Sequence, residues 1–244
     1  MRLKTIQASA IKSVFEVLKD IITDVNIIFD KDGVTLKTLD MAKVTFVNMH
    51  LGSNNFELYE CPTRILAGVN ISNMFKLLKI IGNNDTLEMS ITPAHDIIEM
   101  LIENTQKKSK TLYKMKLLDI NEEEYNLNDM SFDVTTNVSS MYFQRIVRDM
   151  LNFSSQVVIT RDKMKILFEC DGDFVGQVTE IESTESKTAK FSHTYSLKYI
   201  NMFAKATNIC SNVNIQQSVD GPILFNYFIA NLGHIEFYLA PVSD

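Results

Sequence analysis

Asn70-Ile71-Ser72-Asn73-Met74-Phe75-Lys76-Leu77-Leu78-Lys79 returns as Ser196-Leu197-Lys198-Tyr199-Ile200-Asn201-Met202-Phe203-Ala204-Lys205, and the apolar and basic positions coincide at Leu77-Leu78-Lys79 and Phe203-Ala204-Lys205. A second match, Leu18-Lys19-Asp20 with Val147-Arg148-Asp149, links the earlier parts of the two halves. Chance similarity between short apolar segments is the alternative reading. A period near half of the 244 residues excludes a solenoid of short repeats and predicts two structurally similar domains.

Outward from these matches, helical periodicity appears in four segments and strand alternation elsewhere. The first helix is expected from Ser9, as N-cap, to Ile22, with Ile11, Val14, Phe15, Leu18 and Ile22 on one stripe. Val25–Phe29, Val34–Leu39 and Val44–Leu51 alternate as hairpin strands do, with Asp32-Gly33 as the turn between the first two. The second helix is expected over 72–81, stopped by Gly82 and Asn83-Asn84-Asp85. Past an acidic stretch the plan repeats, with a helix over 140–153, strands at Gln156–Ile159 and Met164–Glu169, and the helix that carries Lys198 and Lys205. The expected division is 1–118, a connector over 119–129, and 130–244. The fold class is α+β.

Each helix carries a basic pair on one face. Lys12 and Lys19 are seven apart, as are Lys198 and Lys205, while Lys76 and Lys79, and Arg145 and Arg148, are three apart. The only acids in these segments are Glu16, Asp20 and Asp149. Eight bases against three acids leave the segments at +5, and the chain total of −6 then puts −11 on the remainder. Net acidity ordinarily opposes nucleic-acid binding, but only when charge is evenly spread. A solvated helix face is the plainer reading of any one such pair.

Composition sets the outer bounds. An apolar content of 45% with 22% charged residues is that of a globular protein. The longest apolar runs, Ile97-Ile98 and Met100–Ile102, are too short to span a bilayer. No secretory signal is visible after Arg2 and Lys4, because Gln7, Ser9 and Lys12 break the apolar stretch, so an intracellular protein is expected. Cys61, Cys170 and Cys210 are odd in number and lack CxxC spacing, which predicts packing cysteines, with no zinc site and no disulfide framework.

With repeat and basic pairs in view, the chain resembles the proliferating cell nuclear antigen family of eukaryotic-type sliding clamps over essentially its whole length. The most specific pieces are Gly33-Val34-Thr35-Leu36-Lys37-Thr38-Leu39-Asp40, Tyr113-Lys114-Met115-Lys116-Leu117-Leu118-Asp119 and Gly233-His234-Ile235-Glu236-Phe237-Tyr238-Leu239-Ala240-Pro241. The resemblance implies two clamp domains per chain, each with two helices on a curved antiparallel sheet, in a closed homotrimeric ring. It implies a processivity factor for DNA polymerase, opened by a clamp loader, working in a nucleus or at a site of viral DNA replication.

Carried over residue by residue, the DNA-facing positions are Lys12, Lys19, Lys76, Lys79, Arg145, Arg148, Lys198 and Lys205. Three chains would present +15 along helices about 20 Å long, against about 12 duplex phosphates over that length. Such contacts position DNA without reading base edges. The implied pocket for partner peptides comprises Leu39, Val44, Phe46, Tyr125, Leu127, Pro222, Tyr238, Ala240 and Pro241, and the implied subunit interface includes Tyr113, Met115, Val178 and Ile181. Tyr125 and Leu127 are apolar anchors in an acidic loop, suited to a peptide or to pinning the loop to its own domain. The connector departs from the family with Tyr125, Asn126 and Asn128 where leucine, glycine and proline are favoured, and Lys163 matches a family lysine used for ubiquitin attachment.

Catalysis finds no support. His50, His95, His193 and His234 have no metal-ligand spacing, no glycine-rich phosphate loop or nucleophile elbow occurs, and Asp40 and Asp119 have no visible acid–base partner. Neither metal nor cofactor is expected. A subunit of a heteromeric checkpoint-type clamp, and a clamp-like protein scaffold that does not encircle DNA, are the two alternatives.

Overall fold

Period-two alternation builds most of the chain, and the computed structural model describes residues 1–92, 96–123, 125, 130–183 and 190–242 of it. Two units result, each with its own core. One comprises Met1–Asp40, Val47–Tyr125 and Phe228–Ile235, the other Met41–Phe46, Asn126–Tyr227 and Glu236–Asp244.

In the first unit, β1 (Arg2–Thr5), β7 (Asp85–Thr92), β8 (Ile97–Asn104) and β9 (Ser109–Lys116) form one antiparallel run, with the short β5 (Leu58–Glu60) beyond β1. Leu3, Met89, Met100 and Tyr113 lie side by side across it, so one face is a continuous apolar row that ends at the half-buried Tyr113. A second run places β6 (Ile65–Asn70), β2 (Asp24–Asp30), β3 (Gly33–Leu39) and β4 (Thr45–Gly52) in that order. The β2–β3 turn is the expected Asp32-Gly33, tied by Asp30 Oδ1, which accepts from the Asp32 and Gly33 N–H groups at 2.8 and 3.1 Å. Gly33 sits at φ 143°, and a Cβ there would lie 2.0 Å from the Leu51 carbonyl oxygen, so no other residue fits.

Helices α1 (Ala8–Leu18) and α2 (Ile71–Leu78) pack on each other. Ile11, Phe15, Phe29, Leu87 and Met89 help line a void of about 30 Å³ with a wholly apolar lining.

The second unit repeats the plan. Strand β10 (Val134–Ser139) leads into α3 (Ser140–Leu151), then β11 (Gln156–Asp162), β12 (Lys165–Asp171), β13 (Gly176–Glu182), β14 (Phe191–Ser196), α4 (Leu197–Ala204), β15 (Asn212–Gln217), β16 (Ile223–Ile229) and β17 (Gly233–Leu239). Its strand orders, β10-β15-β16-β17 and β14-β11-β12-β13, match β1-β7-β8-β9 and β6-β2-β3-β4 term by term. Its core is aromatic: Phe203 stacks on Phe237 at 4.8 Å and Phe143 on Phe225 at 5.4 Å.

Helix ends differ from the sequence expectation. The α1 N-cap is Gln7, and Ser9 lies inside the first turn with its carbonyl accepting from Ser13 Oγ at 3.1 Å. The helix stops at Leu18, yet Ile22 is buried as expected, because a turn brings the Ile21 and Ile22 N–H groups onto the Leu18 carbonyl at 2.9 and 2.8 Å. Apolar spacing marks which side chains are buried, and a tight turn preserves that spacing as well as helix does. Helix α2 begins one residue before the expected 72 and ends three before 81, and α3 ends two before 153. Among the described residues, no helix is long and apolar enough to cross a membrane.

Candidate nucleic-acid interface

The second base of three pairs stands at a helix C-cap: Lys19 on α1, Lys79 on α2 and Lys205 on α4. Arg148 lies in the last turn of α3. The carbonyl end of a helix carries partial negative charge, so cations there stabilise the helix as well as facing outward. The repeat is carried into three dimensions, because Asn70 and Ser196 are the N-caps of α2 and α4, and each helix has eight residues. Only Asn70 makes a capping bond through its side chain, accepting from the Asn73 N–H at 2.9 Å.

The eight bases are not equally disposed. In the first unit Lys12 Nζ donates to the Ile81 carbonyl oxygen at 2.6 Å, and Lys19 Nζ stands 4.8 Å from the centre of the Phe75 ring. Both are half-buried and hold α1 to the α2 segment, whereas Lys76 and Lys79 are exposed, Lys76 donating to Asn73 Oδ1 at 3.1 Å. In the second unit Arg145, Arg148, Lys198 and Lys205 are all exposed. Arg145 faces Asp149 at 3.8 Å with its side chain 76% exposed, a pair too solvated to remove the charge, and Lys198 Nζ lies 5.9 Å from the Tyr199 ring. Here the helices are joined by neutral groups: Gln144 Nε2 donates to the Ala204 carbonyl at 2.9 Å, and Thr207 Oγ1 to the Ser140 carbonyl at 3.5 Å.

The proposed interface strands, β9 and β13, are outermost in their sheets. Tyr113 and Met115 are half-buried opposite Met100 and Ile98. Ile181 faces inward opposite Ile166, but Val178 points the other way and is 64% exposed, so these two do not share a face. On the outer face of β9, Lys110 and Lys114 pair with Glu103 and Glu99 at 3.0 and 2.5 Å, and on β13 Glu180 pairs with Lys165 at 2.5 Å.

Of the peptide-pocket residues, Val44, Phe46, Tyr238 and Ala240 come together in the second unit. Tyr238 meets Phe46 edge-on at 5.9 Å, and the Ala240 N–H donates to the Val44 carbonyl at 3.1 Å. Phe132, absent from the sequence expectation, adds a third ring 6.2 Å from Tyr238. Pro222 and Pro241 are half-buried in the same unit. Burial, then the Glu236 carboxylate, pushes the Tyr238 phenol up, and its hydroxyl donates to Glu236 Oε2 at 2.9 Å. In the first unit Tyr125 donates to Glu123 and meets Thr38 and the Leu39 backbone. Leu127 lies outside the described residues.

The path of the connector was not expected. The Leu118 N–H donates to the Gly68 carbonyl at 2.7 Å, Asn26 Nδ2 to the Ile120 carbonyl at 3.0 Å, and Arg64 pairs with Glu122. The close approach requires glycine, since a Cβ on Gly68 would lie 2.1 Å from the Leu118 carbonyl oxygen. A glycine inside a strand pattern was the available signal. In the second unit the segment after β17 runs likewise, with the Val242 N–H donating to the Thr194 carbonyl at 2.8 Å.

Burial pushes the Cys61 and Cys170 thiols up, away from the reactive thiolate. No cluster of three or more metal-ligating side chains occurs among the described residues.

Comparison with known proteins agrees with the repeat. Residues 1–125 match the N-terminal domain of proliferating cell nuclear antigen, and residues 126–242 match its C-terminal domain. The chain is similar to a probable DNA polymerase sliding clamp of Paramecium bursaria Chlorella virus 1, with 34% identity over an alignment of 251 positions that covers 98% of this chain and 96% of the viral protein. Two clamp domains in tandem, each with a paired-helix layer and matching strand orders, place the chain in the proliferating cell nuclear antigen family.

Proposed function

We propose that the chain is a DNA sliding clamp, a non-catalytic processivity factor that encircles duplex DNA and tethers DNA polymerase and other replication and repair proteins. The carrying observation is that both units expose cations on a helix pair while the acidic excess lies elsewhere. Phosphate contacts of this kind hold a duplex without fixing register, which is compatible with sliding. Head-to-tail pairing of β9 of one copy with β13 of the next closes a ring of three chains, because each edge leaves a row of backbone donors and acceptors to be paired. A clamp loader opens that ring.

Partner peptides dock on the Phe46, Phe132 and Tyr238 cluster, whose rings offer apolar area rimmed by backbone groups. Lys163, exposed on the β11–β12 turn, is accessible for modification. The protein works where DNA is replicated, in a nucleus or at a viral replication site.

The test is retention on circular DNA after loading. Lys79→Glu, Arg148→Glu and Lys205→Glu together abolish it in a chain that still folds and assembles, and undiminished retention would falsify the basic-channel reading. Light scattering checks assembly: a trimer of the purified chain is expected, and a monomer at micromolar concentration points to a ring built with unlike chains.

A further inference from the structure

The repeat register puts Met141 of α3 where α1 has Lys12, and Arg145 and Arg148 where it has Glu16 and Lys19. Met141 is 73% exposed, and the adjacent Tyr142 is 45% exposed. Met141 precedes Arg145 by four residues and Arg148 by seven, so the three share one face. One exposed apolar side chain is ordinary on a protein surface. Two in succession, opening a helix that exposes Arg145 and Arg148 against the single acid Asp149, suit an occupant that is anionic and also presents apolar area.

We propose that Met141 and Tyr142 contact the sugar–phosphate backbone of duplex DNA beside Arg145 and Arg148, which rests on the DNA-encircling reading above. Deoxyribose offers an apolar edge for the flexible thioether, and a phosphate oxygen accepts from the tyrosine hydroxyl. Neither contact displaces a condensed counterion. The affinity gained is therefore the same at every salt concentration, whereas the gain from the arginines shrinks as salt rises. The first unit has no such contact, because the equivalent position is occupied by Lys12, whose ammonium is committed to the Ile81 carbonyl.

Binding of a short fluorescent duplex, measured from about 50 to about 200 mM salt, tests this. Met141→Ala with Tyr142→Phe weakens binding about fivefold at every salt, with an unchanged slope of log affinity against log salt. Arg145→Gln with Arg148→Gln lowers that slope by about five, since a ring of three chains loses six arginines at about 0.9 each. Both sites are exposed, so the variants keep the wild-type fold and assembly state, checked by circular dichroism and light scattering. Affinity of the first variant within twofold of wild type overturns the proposal, as does a slope change matching that of the arginine variant. Absence of duplex binding by the wild-type protein at all salts overturns the DNA reading itself.

Discussion

The first unit joins its helices with charge, and the second joins them with neutral groups. Lys12 reaches the Ile81 carbonyl and Lys19 covers Phe75, whereas Gln144 and Thr207 bond backbone carbonyls across α3 and α4. Their cores differ in the same spirit. Phe15, Phe29 and Phe56 line the void of the first among methionines and aliphatics, whereas Phe143, Phe203, Phe225 and Phe237 lie ring against ring in the second. One strand plan is thus satisfied by two chemistries. A cation that anchors its own fold has less freedom to meet a phosphate, so equal counts of bases in the two halves do not amount to equal contact with DNA.

The contrast can be broken most severely in the aromatic core. Phe203→Ala removes a fully buried ring that stacks on Phe237 and is expected to cost about 3–5 kcal/mol, read by chemical denaturation. Gly68→Ala is next, at about 2 kcal/mol or more, because its Cβ would meet the Leu118 carbonyl. Thr194 at the equivalent place already carries a side chain, and Thr194→Ala should be far milder. Hydrogen exchange at the Leu118 amide would show the connector lifting from β6 in the glycine variant alone.

Lys12→Met, which copies the second unit, loses the bond to the Ile81 carbonyl and costs about 1 kcal/mol. Its retention on loaded DNA should fall less than that of Arg148→Gln. If Lys12→Met matches the arginine variant in retention while keeping full stability, the structural role of Lys12 is wrong. The smallest difference lies in the caps: Asn70→Ala costs about 1 kcal/mol and Ser196→Ala about a few tenths, since only Asn70 bonds through its side chain. Paired melting curves separate the two.

Much of the fold is legible along the chain. The four helices and the Asp32-Gly33 turn follow from local spacing, and the halves match because repeated spacing builds repeated pairing. Helix ends were less legible, because a turn at 19–22 buries Ile22 as a further helical turn would have done. Val178 and Ile181 were grouped as one apolar patch, although a separation of three along a strand sends them to opposite faces. Phe132 escaped notice because nothing local ties it to Tyr238, which lies over a hundred residues away in sequence.

By itself the sequence determined the two-domain plan and the basic pairs, since periodicity and charge spacing are local properties that survive translation into helices and strands. Only the tertiary structure decided which of those bases are engaged. Whether Lys12 meets a carbonyl depends on Ile81, and whether Lys19 meets a ring depends on Phe75. Both are brought close by the packing of α1 on α2, a long-range event that no short window of residues encodes.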